Sequence, residues 1–154
     1  WAILDWLDAL ESDHGWLDNV PWKHVTLIET GGMKGRGIEP IREEVHARIK
    51  AVLPDIHLAS EYGMTEMMSQ GYAKDGTHHA FPSWVRPLVR EPRDPRSSAL
   101  QSRVGRLDIV DLANVHSCAF LATGDAANLT SKGLILLGRQ DHSEVRGCSL
   151  LATP

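Results

Sequence analysis

Tyr62-Gly63-Met64-Thr65-Glu66 brings an aromatic ring, a hydroxyl and a carboxylate together in one short segment. A ring can stack on a flat ligand, a Thr hydroxyl can bond a phosphate oxygen, and a Glu carboxylate is a hard oxygen ligand for Mg²⁺. The plainer reading makes Thr65 a helix N-cap and Glu66 a first-turn acid, and on composition alone it is the better one. Upstream, Gly31-Gly32-Met33-Lys34-Gly35-Arg36-Gly37 has the glycine content of a phosphate cradle. It has neither the G-x-x-x-x-G-K-S/T order of a P-loop nor the G-x-G-x-x-G of a dinucleotide fold. Alone it reads first as a tight strand-to-helix turn. The second reading is bare backbone at a strand end, where open α/β sheets take ligands.

Downstream, Asp125 in Thr123-Gly124-Asp125 and Arg139 in Gly138-Arg139-Gln140-Asp141 are modest in isolation. An Asp in a turn usually satisfies its own backbone, but a carboxylate can also accept from two ribose hydroxyls. Arg139 can donate to a ribose or a carboxylate. Of the two cysteines, Cys118 sits in an apolar run and reads as structural, and Cys148 reads first as a small apolar residue of a terminal strand. The eight histidines include no structural-zinc spacing, and no G-x-S-x-G elbow offers a serine nucleophile.

These residues need elements to hold them. Ile3, Trp6, Leu7 and Leu10 share one helical face, with Asp5 and Asp8 outside it. Val25–Ile28 is a short apolar strand entering the glycine turn. Pro40 then opens a helix with Ile41, Val45, Ile49 and Val52 on one face, Glu43 and Glu44 in the first turn and Lys50 near the end; Pro54 stops it. Ile56–Ala59 is a second strand, leading into the Tyr62 segment. Strand, glycine turn, helix, strand is α/β grammar. Beyond Gly71 the expected strands are Trp84–Val89, Leu107–Asp111, Ala119–Ala122 and Leu134–Leu137, a β-rich subregion of largely antiparallel pairing without a long helix. The Pro- and Arg-rich stretch Arg90–Ser98 is the expected mobile surface loop.

Bulk properties bound the possibilities. With 154 residues, 42% apolar and 23% charged, the chain has the make-up of one ordinary globular domain. A net charge of −4 with scattered basic residues argues against a nucleic-acid or anionic-membrane surface. No apolar run approaches the roughly 20 residues that span a bilayer. Two cysteines without a C-x-x-C pair point to a reducing compartment, and the cytoplasm is the expected location. A start at Trp1, with no leader, leads to the expectation that the native N-terminus lies upstream.

The ordered set says more than its members. An apolar strand into Gly31-Gly32, then Tyr62-Gly63-Met64-Thr65-Glu66, then Thr123-Gly124-Asp125, then Gly138-Arg139-Gln140-Asp141 resembles the adenylate-forming superfamily of acyl- and aryl-CoA ligases, luciferases and adenylation domains. Glu29–Arg36, Ser60–Glu66, Asp111-Leu112-Ala113-Asn114 and Arg146-Gly147-Cys148-Ser149-Leu150 carry a closer likeness. They resemble the acyl-protein synthetases (LuxE) of the bacterial luminescence fatty-acid reductase.

That resemblance implies the C-terminal part of an α/β adenylating domain over residues 1–139, and a short tail, 140–154, in place of a full small domain. It implies ATP and Mg²⁺ as cofactors. Gly31, Gly32 and Met33 would lie against adenine, Tyr62 would stack on it, Thr65 would contact the α-phosphate and Glu66 would hold Mg²⁺. Asp125, assisted by Arg139, would grip the ribose. The implied substrate is a fatty or other carboxylic acid, activated as acyl-AMP. Cys148 matches the acceptor cysteine near the end of such enzymes, and an acyl-protein reductase or another acyl-acceptor protein is the implied partner. The phosphate loop that the superfamily places upstream is missing, so the chain is expected to be inactive alone. Two alternatives stand beside this reading: a phenylacetate-CoA-ligase-like synthetase, and a non-catalytic nucleotide-binding or assembly module.

Overall fold

The computed structural model describes residues 2–12, 15, 20–30, 42–92, 94, 96–97, 99 and 101–139. Helix α1 (Ala2–Ser12) and helix α2 (Arg42–Val52) pack on a sheet of β1 (Thr26–Thr30), β2 (His57–Tyr62) and β3 (Gly71–Ala73). β1 and β2 run parallel, Thr26 opposite His57 and Thr30 opposite Glu61, while β3 returns antiparallel to β2. The second sheet is antiparallel, in the order β4-β8-β7-β6-β5. Its strands are β4 (His78–His79), β5 (Val85–Arg90), β6 (Val104–Asp111), β7 (Phe120–Thr130) and β8 (Gly133–Arg139). This is the expected α/β arrangement of strand–helix units followed by a β-rich subregion.

Two apolar clusters form the core. Leu7 and Leu10 of α1 meet Ile49 of α2, Leu53 and Ile56, with Leu27 and Leu58 packed against them from the sheet. The described residues of the expected faces therefore bury as the helical period requires, one stripe inward and the charges outward; Ile41 lies outside the described residues. The acids left outside have work of their own: Arg48 of α2 is held by Glu11, at 2.7 and 3.1 Å, and by Asp8. The other cluster joins Tyr62 and Met67 to Val85, Val89, Leu107, Ile109, Ala127 and Leu134 of the antiparallel sheet. Strand β2 enters both, through Leu58 and Tyr62.

β5 is the edge of its sheet, which tolerates Pro87 in mid-strand because an edge N–H need not join the ladder. Its partner β6 approaches so closely that a Cβ on Gly105 would stand 2.3 Å from the Arg90 carbonyl oxygen. The described residues of the Arg90–Ser98 stretch form a hydrogen-bonded turn. Arg90 Nη1 donates to the Ser97 carbonyl at 2.6 Å and the Glu91 amide to Ser97 Oγ at 3.1 Å.

Among the described residues, no helix is long and apolar enough to cross a membrane.

Candidate functional site

The chain leaves β1 at Thr30 and β2 at Tyr62, and both strands point the same way. Their C-terminal ends are where ligands sit in open α/β sheets. Gly31, Gly32 and Met33 lie outside the described residues, as do Cys148 and the whole 140–154 tail.

Tyr62 is 9% exposed, its ring edge-on to Phe81 at 6.2 Å and to His79 at 6.4 Å. A Cβ on Gly71 would meet the Phe81 ring at 2.6 Å, so that glycine is what lets the ring sit there. The Tyr62 hydroxyl donates to Asp125 Oδ2 at 2.7 Å. Burial first, and the bond to Asp125 second, hold the phenol above the usual tyrosine range, so it is a neutral donor. On the far side of the carboxylate, Arg139 Nε lies 3.7 Å from Asp125 Oδ1. Three of the sequence-predicted residues, Tyr62, Asp125 and Arg139, thus form one cluster.

The local reasons are two irregularities in the sheet. Arg106 pairs with Ala126 and Asp108 with Ala122, so Thr123, Gly124 and Asp125 stand opposite Leu107 alone. The Thr123 hydroxyl donates to the Leu107 carbonyl at 2.7 Å and accepts from the Asp125 amide at 3.1 Å, replacing ladder bonds that the bulge interrupts. Between β7 and β8 the register shifts again: Ala127 pairs with Leu136, but Asp125 pairs with Arg139. Without the extra residue in β8, Gly138 would oppose Asp125. Gly138 takes φ 103°, a left-handed value suited to glycine. The bulge brings Arg139 to the face of Asp125, and directly opposed side chains of a ladder meet.

Thr65 and Glu66 do not start a helix. The Met67 amide donates to the Met64 carbonyl at 3.0 Å, closing a β-turn with Thr65 and Glu66 at its two central, exposed positions. The N-cap reading fails because the amides that follow are taken from elsewhere. Asp111 Oδ2 accepts from Met68 N at 3.0 Å and Ser69 N at 2.9 Å, and Asn114 Nδ2 donates to the Glu66 carbonyl at 2.6 Å. The sequence contains Asp111-Leu112-Ala113-Asn114 only as part of a likeness; its physical job is visible in three dimensions alone. Burial pushes the Asp111 carboxyl upward, but hydrogen bonds from Ser69, Ala113 and Met68 outweigh it, and it lies below the usual carboxylate range.

Two further expectations are corrected. Thr123-Gly124-Asp125 lies within the strand Phe120–Thr130, not in a turn after a short strand at Ala119–Ala122. Cys118 is exposed, because it lies in the loop between Asn114 and β7, its Sγ 3.1 Å from the Phe120 carbonyl.

Among the described residues, no group of three His, Cys, Asp or Glu side chains is placed to hold a metal. Glu66 can still serve Mg²⁺, which keeps several waters and takes one or two carboxylates beside substrate phosphates. A cavity of about 740 Å³ lies elsewhere, under α2, lined by His46, Lys50, His57, Tyr72 and Lys74 among others. Lys50 Nζ there is already bonded to the Ile56 and Pro54 carbonyls.

Neither a family model nor a curated protein sequence matches the chain. Solved structures do. A long-chain-fatty-acid-CoA ligase from Archaeoglobus fulgidus is 16% identical with a TM-score of 0.64, covering 90% of this chain and 32% of that one. A benzoate CoA ligase from Burkholderia xenovorans LB400 is 15% identical at TM-score 0.53, covering 80% and 28%. ATP-bound MatB from Rhodopseudomonas palustris is 18% identical at TM-score 0.54, covering 73% and 25%. The chain therefore spans about a third or less of the length of the structures it resembles. What is shared at these identities is architecture alone, a mixed α/β fold that matches part of each of these larger structures.

Proposed function

We propose that this chain carries the adenosine- and magnesium-binding part of an ATP-dependent acid–thiol ligase. The enzyme activates a carboxylic acid, in the first instance a fatty acid, and passes the acyl group to a protein cysteine. The observation that carries this reading is the cluster of Tyr62, Asp125 and Arg139, at the end of β2 that leads into the exposed Thr65–Glu66 turn.

In this reading Asp125 accepts the ribose hydroxyls, with Arg139 assisting and the Tyr62 hydroxyl fixing the carboxylate. Tyr62 and the Gly31-Gly32-Met33 segment lie against adenine. Thr65 contacts the α-phosphate, and Glu66 holds Mg²⁺, which supplies charge neutralisation at the triphosphate. A carboxylate oxygen of the substrate attacks the α-phosphorus, the bond to the bridging oxygen breaks, and pyrophosphate leaves. The protein's contribution is positioning and electrostatic stabilisation. Cys148, in the tail 140–154, then attacks the acyl carbon as thiolate, releasing AMP and leaving a thioester. Arg146, two positions before it in the sequence, would favour the thiolate. An acyl-protein reductase or other acceptor takes the acyl group onward. A cytoplasmic setting fits this chemistry.

Exchange of radiolabelled pyrophosphate into ATP by the full-length protein, across a panel of carboxylic acids, tests the adenylation step; no exchange with any acid would leave only a non-catalytic binding module. Intact-mass measurement after ATP and acid should give an acyl adduct that disappears in Cys148→Ser. The solved structures of fatty-acid- and benzoate-CoA ligases favour a second reading, with CoA as acceptor. Acyl-CoA formation that persists in Cys148→Ser would select it.

A further inference from the structure

Asp111 closes β6 and is 0% exposed, yet its carboxylate is spent almost wholly on a distant segment. Oδ2 accepts the amides of Met68 and Ser69, and Oδ1 accepts Ser69 Oγ at 2.8 Å and the Ala113 amide at 3.1 Å. Ser69 Oγ also accepts the Trp84 indole N–H at 3.0 Å. One 3-10 turn onward, Asn114, 6% exposed, donates Nδ2 to two carbonyls, Glu66 at 2.6 Å and Cys118 at 2.9 Å. The two side chains hold the chain on either side of Met67: Asn114 takes the carbonyl before it, and Asp111 the two amides after it.

We propose that Asp111 and Asn114 are positioning residues for Thr65 and Glu66, fixing that turn at the triphosphate–magnesium end of the site; this rests on the function proposed above. Both central side chains of the turn are exposed, so packing does not orient them. Their direction is set by the backbone, and the backbone is set by these bonds. A buried carboxylate is costly when apolar groups would serve a core equally well. Its four bonds, three of them to Met68 and Ser69, explain why the cost is met here. Residues supporting a metal ligand tune affinity without touching the ion.

The test uses the full-length protein and two readouts. In Asp111→Asn, amide hydrogen exchange at Met68 and Ser69 should quicken at least about tenfold, while β7 and β8 stay protected. In ATP–pyrophosphate exchange, the Mg²⁺ concentration for half-maximal rate should rise about tenfold, in the range usual for lost supporting contacts, with KM for the acid unchanged. Ser69→Ala, which spares the backbone bonds, should give a smaller change of the same kind, and it carries the test if Asp111→Asn fails to fold. Unchanged exchange at Met68 and Ser69, an unmoved Mg²⁺ requirement, or loss of protection across the whole sheet in Ser69→Ala would each overturn the proposal. Wild-type protein without pyrophosphate exchange would instead overturn the proposed function, and the amide readout would still decide whether the brace exists.

Discussion

The Tyr62 hydroxyl and Asp125 Oδ2 meet at 2.7 Å across 63 positions of sequence, tying the last residue of β2 in one sheet to a bulge of β7 in the other. Tyr62→Phe keeps the ring against Phe81 and His79 and removes only this bond. Hydrogen bonds to charged groups contribute about 1.5–3 kcal/mol. Denaturant unfolding should register a loss at the low end of that range, because Asp125 keeps 17% of its side chain exposed. The apparent KM for ATP should rise severalfold, since the carboxylate loses its orienting donor.

With Asp125 accepting the ribose hydroxyls as proposed, Asp125→Asn should narrow any discrimination between ATP and its 2′-deoxy analogue, because an amide accepts fewer hydrogen bonds than a carboxylate. Arg139 is 55% exposed and 3.7 Å from its partner. Arg139→Ala should therefore change stability by less than about 0.5 kcal/mol while still weakening ATP. Comparative kinetics with the two nucleotides, alongside thermal melts, separates the two effects.

Glu66→Gln alters an exposed turn position, so stability should stay within about 0.5 kcal/mol of wild type. Adenylation should fall about 10²-fold if the carboxylate stabilises charge at the triphosphate. Equal Tm with unimpaired pyrophosphate exchange would remove Glu66 from the site.

Acid stability should report Asp111. Its folded pKa lies below the ordinary carboxylate value of about 3.9. Its stabilising contribution is thus fully present above that pH and lost as pH falls below it through the folded value. Denaturation midpoints from pH 6 to pH 2 should decline less steeply in Asp111→Asn than in wild type, whatever the offset between them.

Gly105→Ala should cost about 1–3 kcal/mol, since the new methyl meets the Arg90 carbonyl and strand β5 would have to move aside. Chemical denaturation measures it, and the same change at the exposed Gly124 is the control.

The helical faces of α1 and α2 were legible in the sequence because a 3.6-residue period is a local signal, and for α2 the prolines Pro40 and Pro54 are another. The strand holding Thr123-Gly124-Asp125 was not. Gly and Asp punctuate turns in most sequences, and here the irregularity is absorbed as a bulge, with the Thr123 hydroxyl bonding Leu107 in place of the ladder. The Thr65 N-cap expectation followed a sound local rule that tertiary bonds from Asp111 and Asn114 overrode. The candidate site was legible only as an order of motifs. That Tyr62, Asp125 and Arg139 converge depends on two register shifts, and register leaves no mark on composition or periodicity.

Strand β2 contributes Leu58 to one core and Tyr62 to the other. A six-residue strand shared in this way makes the two halves one thermodynamic unit. A nucleotide taken at Asp125 stabilises the folded state by mass action, and the gain is felt wherever opening requires β2 to let go. Amides of α2, which carries none of the proposed ligand residues, should therefore slow their exchange as ATP is added.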